Sequence, residues 1–185
     1  MGPLETLTNE HGLIRQYLDN LTLAAGSIEE GKRPSSEFFD KAVEFSRNFA
    51  DTFHHFKEEH VLFVRLAQKH VGEIDAQLEA LRYQHERGRV LVTGIANAIE
   101  GYAAENPNAT ANLLQNIGAY VSLLRLHIHT EDHLFFPMAR KSLDAGEMRE
   151  LETEFLKIQG KHGGDTFERS HKLVVDMGSI LTHMQ

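Results

Sequence analysis

The sequence predicts an all-α protein, an up-down-up-down four-helix bundle with a C-terminal helical extension. Three observations carry that expectation. Apolar residues recur at steps of three and four through four long stretches. Short breaks rich in Gly, Pro, Ser and Asn separate those stretches. Nowhere do apolar and polar residues alternate as a half-buried strand requires.

The first helix follows Leu4, Leu7, His11, Ile14, Leu18, Leu21, Ala25 and Ile28, and Gly31 and Pro34 end it. The second is expected from about Glu37 to His70, with an inward stripe through Phe38, Ala42, Phe45, Phe49, Thr52, Phe56, Glu59, Phe63 and Leu66. Gly72 marks the next turn. The third follows Ile74, Leu78, Leu81, His85, Gly88, Val92, Ile95, Ile99 and Tyr102, and stops at Asn106-Pro107-Asn108. The fourth follows Leu114, Ile117, Val121, Leu124, Ile128, Glu131, Phe135 and Met138, with Pro137 expected to kink or end it. A shorter helix from Glu147 to about Gln159 and a last one running towards His183 complete the chain. Residues 1–141 thus form the bundle, and 142–185 an extension packed on it within one domain.

Length and composition fit this picture. A chain of 185 residues, 41% hydrophobic and 25% charged, is the size and make-up of one globular domain. The net charge of −8 argues against a nucleic-acid or anionic-membrane surface. Cysteine is absent, which excludes disulfides, thiolate metal sites and Cys nucleophiles. No basic-then-apolar leader and no long apolar run is visible, so a cytoplasmic location is expected, with no membrane partner.

The chemistry lies in the histidines, of which there are 12. His55-x-x-x-Glu59 on the second helix recurs 72 residues later as His127-x-x-x-Glu131 on the fourth. On a helix, positions i and i+4 share a face, so an imidazole and a carboxylate can hold one metal ion together. The halves repeat further: Glu10-His11 precedes the first motif as Gln84-His85 precedes the second. Counted from the turns at about 1.5 Å per residue, His11, His55, His85 and His127 fall within roughly 6 Å of one level. Burying such groups unpaired is costly, and a pair of cations removes that cost. Mixed nitrogen and oxygen donors suit iron or manganese. The candidate ligands are therefore His11, His55, Glu59, His85, His127 and Glu131. Glu58 and Asp132 neighbour the carboxylates and are alternatives to them, and His162 and His171 lie in the extension.

These residues resemble the hemerythrin-like, or HHE cation-binding, family. The pattern is His11, then His55-x-x-x-Glu59 with Leu62-Phe63 after it, then His85, then His127-x-x-x-Glu131 with Leu134-Phe135-Phe136-Pro137. The resemblance implies a four-helix bundle holding two non-haem iron ions, with the four histidines as terminal ligands and Glu59 and Glu131 as bridges. It departs from the oxygen-carrying members in two ways. Arg89 stands where they have a further His, and they use His-x-x-x-x-Asp on the fourth helix, a count Asp132 would satisfy. The resemblance thus implies a centre that binds or reacts with O2, peroxide or nitric oxide. The alternative it leaves is an iron- or oxygen-sensing or iron-handling module without turnover.

Overall fold

The protein, seen in a computed structural model, is described over residues 2–182. Met1 and residues 183–185, including His183 at the expected end of the last helix, lie outside the described residues. No strand occurs among the described residues. The first run is α1 (Pro3–Glu29). The second begins as α2 (Ser36–Phe45), passes into the wide-turn segment π1 (Ser46–His55), then π2 (Glu58–Leu62), and ends as α3 (Phe63–Ala67). The third is α4 (Gly72–Ala103). The fourth is α5 (Pro107–Thr130), π3 (Glu131–Phe135) and α6 (Phe136–Ser142). Two helices follow, α7 (Ala145–His162) and α8 (Thr166–Thr182).

The boundaries have local causes. Gly31 takes φ +81° after α1, a conformation that side-chain-bearing residues avoid. Asn106 accepts hydrogen bonds from the backbone N–H groups of Asn108 and Ala109, and Pro107 occupies the first turn, where its missing N–H costs nothing. Asp144 and Glu147 form a reciprocal capping box at the start of α7.

The second run departs from the expected stripe. Thr52 and Phe56 are exposed and Glu59 is half-buried. Burial instead follows a strict step of four through Phe38, Ala42, Ser46, Ala50, His54, Glu58, Leu62 and Leu66, all of them buried. An α-helix turns about 100° per residue, so each step of four drifts about 40° and the series would leave the core. Wide turns with i→i+5 bonds take up that drift and keep the series inward. In the fourth run π3 stands directly before Pro137, which cannot donate to the preceding turn. The helix then continues to Ser142 rather than stopping at the proline.

Two apolar clusters form the core, and the polar centre lies between them. One gathers Tyr17, Phe38, Phe39, Phe49, Tyr102 and Ile117, with Val174 and Met177 of α8. The other gathers Leu7, Phe63, Leu66, Leu81, Phe135 and Phe136, with Leu151 and Phe155 of α7. On α1, Leu7 belongs to one cluster and Ile14 to the other, and the buried His11 stands between them. No helix among the described residues is long and apolar enough to cross a membrane.

Phe39 is fully buried, with edge-on contacts to Phe38 and Tyr102. Phe39→Ala is expected to cost about 3–5 kcal/mol in urea unfolding through the cavity it leaves. Leu23→Ala, at a position 61% exposed, is expected to stay within about 0.5 kcal/mol. Similar losses for both would contradict this assignment of the core.

Candidate metal centre

Seven buried side chains converge between the two apolar clusters: His11 of α1, His54 and His55 of π1, Glu58 of π2, His85 of α4, His127 of α5 and Glu131 of π3. They form two overlapping groups. His55, Glu58, His85 and His127 make one, and His11, His54, Glu58 and Glu131 the other. Within each group the nearest nitrogen and oxygen atoms all lie within 4.8 Å of one another. Glu58 belongs to both. Glu131 also spans them, with one oxygen 3.2 Å from His11 Nε2 and 3.1 Å from His127 Nε2.

The structure thus brings His11, His55, His85, His127 and Glu131 to one place. It puts Glu58, not Glu59, beside them, and adds His54. The wide turns are the cause, because they rotate His54 and Glu58 onto the inner face. Glu59 lies behind His85 and accepts a 2.7 Å hydrogen bond from its Nδ1. Asp132 accepts one of 2.9 Å from His11 Nδ1. His162 contacts Phe53 at a ring distance of 5.8 Å and, like the exposed His171, is no part of the convergence.

Hydrogen bonding orients four of the five rings. Nδ1–H donates to Asp132 in His11, to Glu10 in His54 at 2.8 Å, to Glu59 in His85 and to the Gln84 carboxamide oxygen in His127 at 2.8 Å. With the proton on Nδ1, the Nε2 lone pair points inward. There it meets other acceptors. His85 Nε2 and His127 Nε2 stand 3.1 Å apart, and Glu58 oxygens lie 3.5 Å from His54 Nε2 and 3.6 Å from His85 Nε2. His11 Nε2, His54 Nε2, His55 Nδ1 and both oxygens of Glu58 and of Glu131 are buried without a hydrogen-bond partner. Lone pairs facing lone pairs in a buried site repel, and cations placed among them reverse the sign. The donor set fits iron or manganese in these positions.

Electrostatics agree. Burial, reinforced by neighbouring imidazoles, holds His54 and His85 well below the ordinary histidine value, and burial holds His127 down at about 4. All three are neutral at neutral pH, as metal ligands must be. Burial also pushes His11 down, but Asp132 and Glu131 outweigh it and raise it. Burial, and then the facing Glu131 carboxylate, push Glu58 well above the usual range. Behind His54, Glu10 pairs with the buried Lys57, whose ammonium also stands 3.7 Å over the Phe53 ring. Arg15 anchors Asp132, and Arg89 anchors Glu59 at 2.6 Å.

The centre is built twice. His54 and Glu58 match His127 and Glu131 at an offset of 73 residues, and Glu59 matches Asp132 at the same offset. Glu10, His11 and Arg15 match Gln84, His85 and Arg89 at 74. Two of the Nδ1 acceptors cross between the halves, Asp132 to His11 and Glu59 to His85, while Glu10 and Gln84 serve a histidine of their own half. His55 has no such counterpart, because the matching position is Ile128.

Comparison with known proteins places the chain. The Hemerythrin HHE cation binding domain matches residues 2–139. Two curated relatives, an uncharacterized protein of Mycobacterium tuberculosis and one of Mycobacterium bovis, are each 28% identical over 161 residues. That alignment covers 87% of this chain and 62% of each relative, so the chain spans less than two thirds of their length. No solved structure matches it significantly.

The titration of the centre gives a sign for pH dependence. A group with a depressed folded-state value stabilises the fold above its unfolded value, and that stability is lost as pH falls. For His54, His85 and His127 the loss begins near the unfolded 6.5 and extends to about 4 for His127. Glu58 and His11 are shifted upward and offset part of it. Metal-free protein is therefore expected to show a lower urea midpoint at about pH 5 than at about pH 7.5. A midpoint that rises on acidification would contradict neutral, buried imidazoles.

Proposed function

We propose that this chain, which belongs to the hemerythrin HHE cation-binding family, holds two iron ions among five imidazoles and two bridging carboxylates, and binds or reacts there with O2, peroxide or nitric oxide. In this reading α1, the run α2 to α3, α4 and the run α5 to α6 make the family's up-down-up-down bundle, and α7 and α8 are an extension packed on it.

One observation carries the reading. Four Nε2 atoms, each turned inward by an oxygen at Nδ1, converge with Glu58 and Glu131, whose buried oxygens have no hydrogen-bond partner. His55, His85 and His127 would hold one ion, and His11 and His54 the other, with Glu58 and Glu131 shared between them. When bound, a pair of irons supplies redox change and open coordination for a small ligand. The protein's own residues do the rest. The Nδ1 acceptors fix each ring and raise its basicity. The surrounding phenylalanines, among them Phe63 and Phe136, keep bulk water away. The position with two imidazoles would have fewer protein ligands than the position with three, and an added small ligand would go there.

Metal analysis of iron-loaded protein tests this. We expect about two irons per chain, an ultraviolet–visible spectrum that changes on mixing with hydrogen peroxide or nitric oxide, and loss of iron in Glu58→Gln. Glu59→Gln is expected to keep its iron with weaker retention, since it removes only a partner of His85. A chain without iron, or one in which Glu59→Gln loses metal and Glu58→Gln does not, would contradict the reading. Rapid consumption of peroxide would mark an enzyme. A lasting adduct would mark the sensing or iron-handling alternative.

A further inference from the structure

The internal repeat is broken at three neighbouring positions, and together they open a chamber. Where the second half has Leu124 and Ile128, both buried and apolar, the first half has Asp51 and His55. Where α1 has the buried Ile14, α4 has Gly88. The result is a cavity of about 220 Å³ between π1 and α4, lined by Asp51, His55, His85, Gly88, Arg89 and Tyr120 among others. A water molecule occupies about 30 Å³ of liquid, so the chamber has room for a partly hydrated ion. The equivalent place in the other half is filled by leucine and isoleucine side chains.

The chamber wall carries the one ring of the five whose Nδ1 has no hydrogen-bond partner. His55 Nδ1 is buried, makes no hydrogen bond, and stands 3.6 Å from an Asp51 oxygen. Its ring lies flat against His85 at 3.8 Å. At the mouth, Arg89 is held by three carboxylates, Asp51 at 2.8 Å, Glu59 at 2.6 Å and Glu86 at 3.4 Å. The Arg89 side chain remains about one third exposed. Arg47 also lines the chamber, so three acids set against two arginines leave the mouth with a net charge of −1. That field attracts cations and repels anions. A dication arriving there offers the carboxylates a stronger partner than the guanidinium and displaces it.

We infer that this chamber is the port through which a divalent cation, Fe2+ by the reading above, reaches and leaves the centre, with Arg89 as its latch and His55 as the swinging ligand that passes the ion inward. The inference rests on the di-iron reading of the same site. Asp51 receives the ion from the mouth, His55 takes it next, and His85 and His127 lie beyond with their rings already fixed. The ion held by His55, His85 and His127 is therefore the first to leave and the last to arrive. The apolar plug of Leu124, Ile128 and Ile14 closes the opposite side.

Release kinetics test it on full-length, iron-loaded, reduced protein under argon, with a strong Fe(II) chelator as the probe. Two phases are expected, the faster one from the three-imidazole position. Arg89→Gln is expected to speed the fast phase severalfold. Gly88→Leu, which fills the chamber, is expected to slow both phases severalfold at unchanged starting iron content. Gly88→Ala serves if the leucine variant does not fold, because its added methyl meets only Tyr120 at 3.7 Å, and a smaller slowing is expected. Arg125→Gln, which removes an exposed ion pair with Asp19 outside the convergence, is expected to give no such acceleration. Iron retained at two per chain with release unaltered in the Arg89 and Gly88 variants would overturn the port and leave the di-iron reading standing. Protein that holds no iron would overturn both.

Discussion

The middle of this bundle is governed by where four protons sit. Each of His11, His54, His85 and His127 gives its Nδ1 proton to an oxygen supplied by another helix. That single choice leaves four Nε2 atoms facing inward, towards Glu58 and Glu131, whose oxygens are buried without a hydrogen-bond partner. Such an arrangement repels itself in a dry interior, where unpartnered polar groups are most costly. The structure tolerates it because the two apolar clusters on either side hold the helices in place. The repulsion then becomes the affinity of the site, since a cation is the one partner that satisfies every inward atom together. Metal binding and folding are in that sense linked.

The acceptors behind the rings act both within each half and between the halves. Glu10 on α1 orients His54, while Gln84 on α4 orients His127. Asp132 orients His11, and Glu59 orients His85. The halves differ in charge at one acceptor, a carboxylate balanced by the buried Lys57 against a neutral amide. They differ again at His55, which has only Ile128 as its counterpart. A nearly symmetric scaffold thus carries two unlike groups of donors, one with three imidazoles and one with two. The asymmetry that creates the third imidazole also opens the chamber beside it, because Asp51, His55 and Gly88 replace apolar side chains on the same face.

Much of this was legible in the sequence. Steps of three and four gave α1, α4 and α5 directly; His11, His85 and Glu131 fall on those stripes, and His127 stands one position before Ile128 of the fourth. The second run was harder, because its inward face repeats every four residues from Phe38 to Leu66, a period that belongs to wide turns. Read at the α-helical period, the stripe drifted onto Thr52, Phe56 and Glu59 and passed over His54 and Glu58. The same slip set the repeat at 72 residues. Aligning Glu58 with Glu131 sets it at 73, and Glu59 then falls on Asp132, so each plays the same part behind the other half's histidine. The pairing of Glu10 with Lys57 left no periodic signal, since both are polar residues whose burial depends on contacts between α1 and π1. The chamber was invisible for a similar reason: it arises from positions that are small or polar where the other half is apolar, and only packing turns that difference into space.

The most direct measurement is a crystal structure of iron-loaded protein with anomalous scattering recorded at the iron edge. We expect two peaks per chain, one beside His55, His85 and His127 and one beside His11 and His54, with Glu58 and Glu131 between them and Glu59 still bonded to His85. A single peak, or two peaks with Glu59 turned inward and Glu58 turned away, would contradict the assignment of the centre.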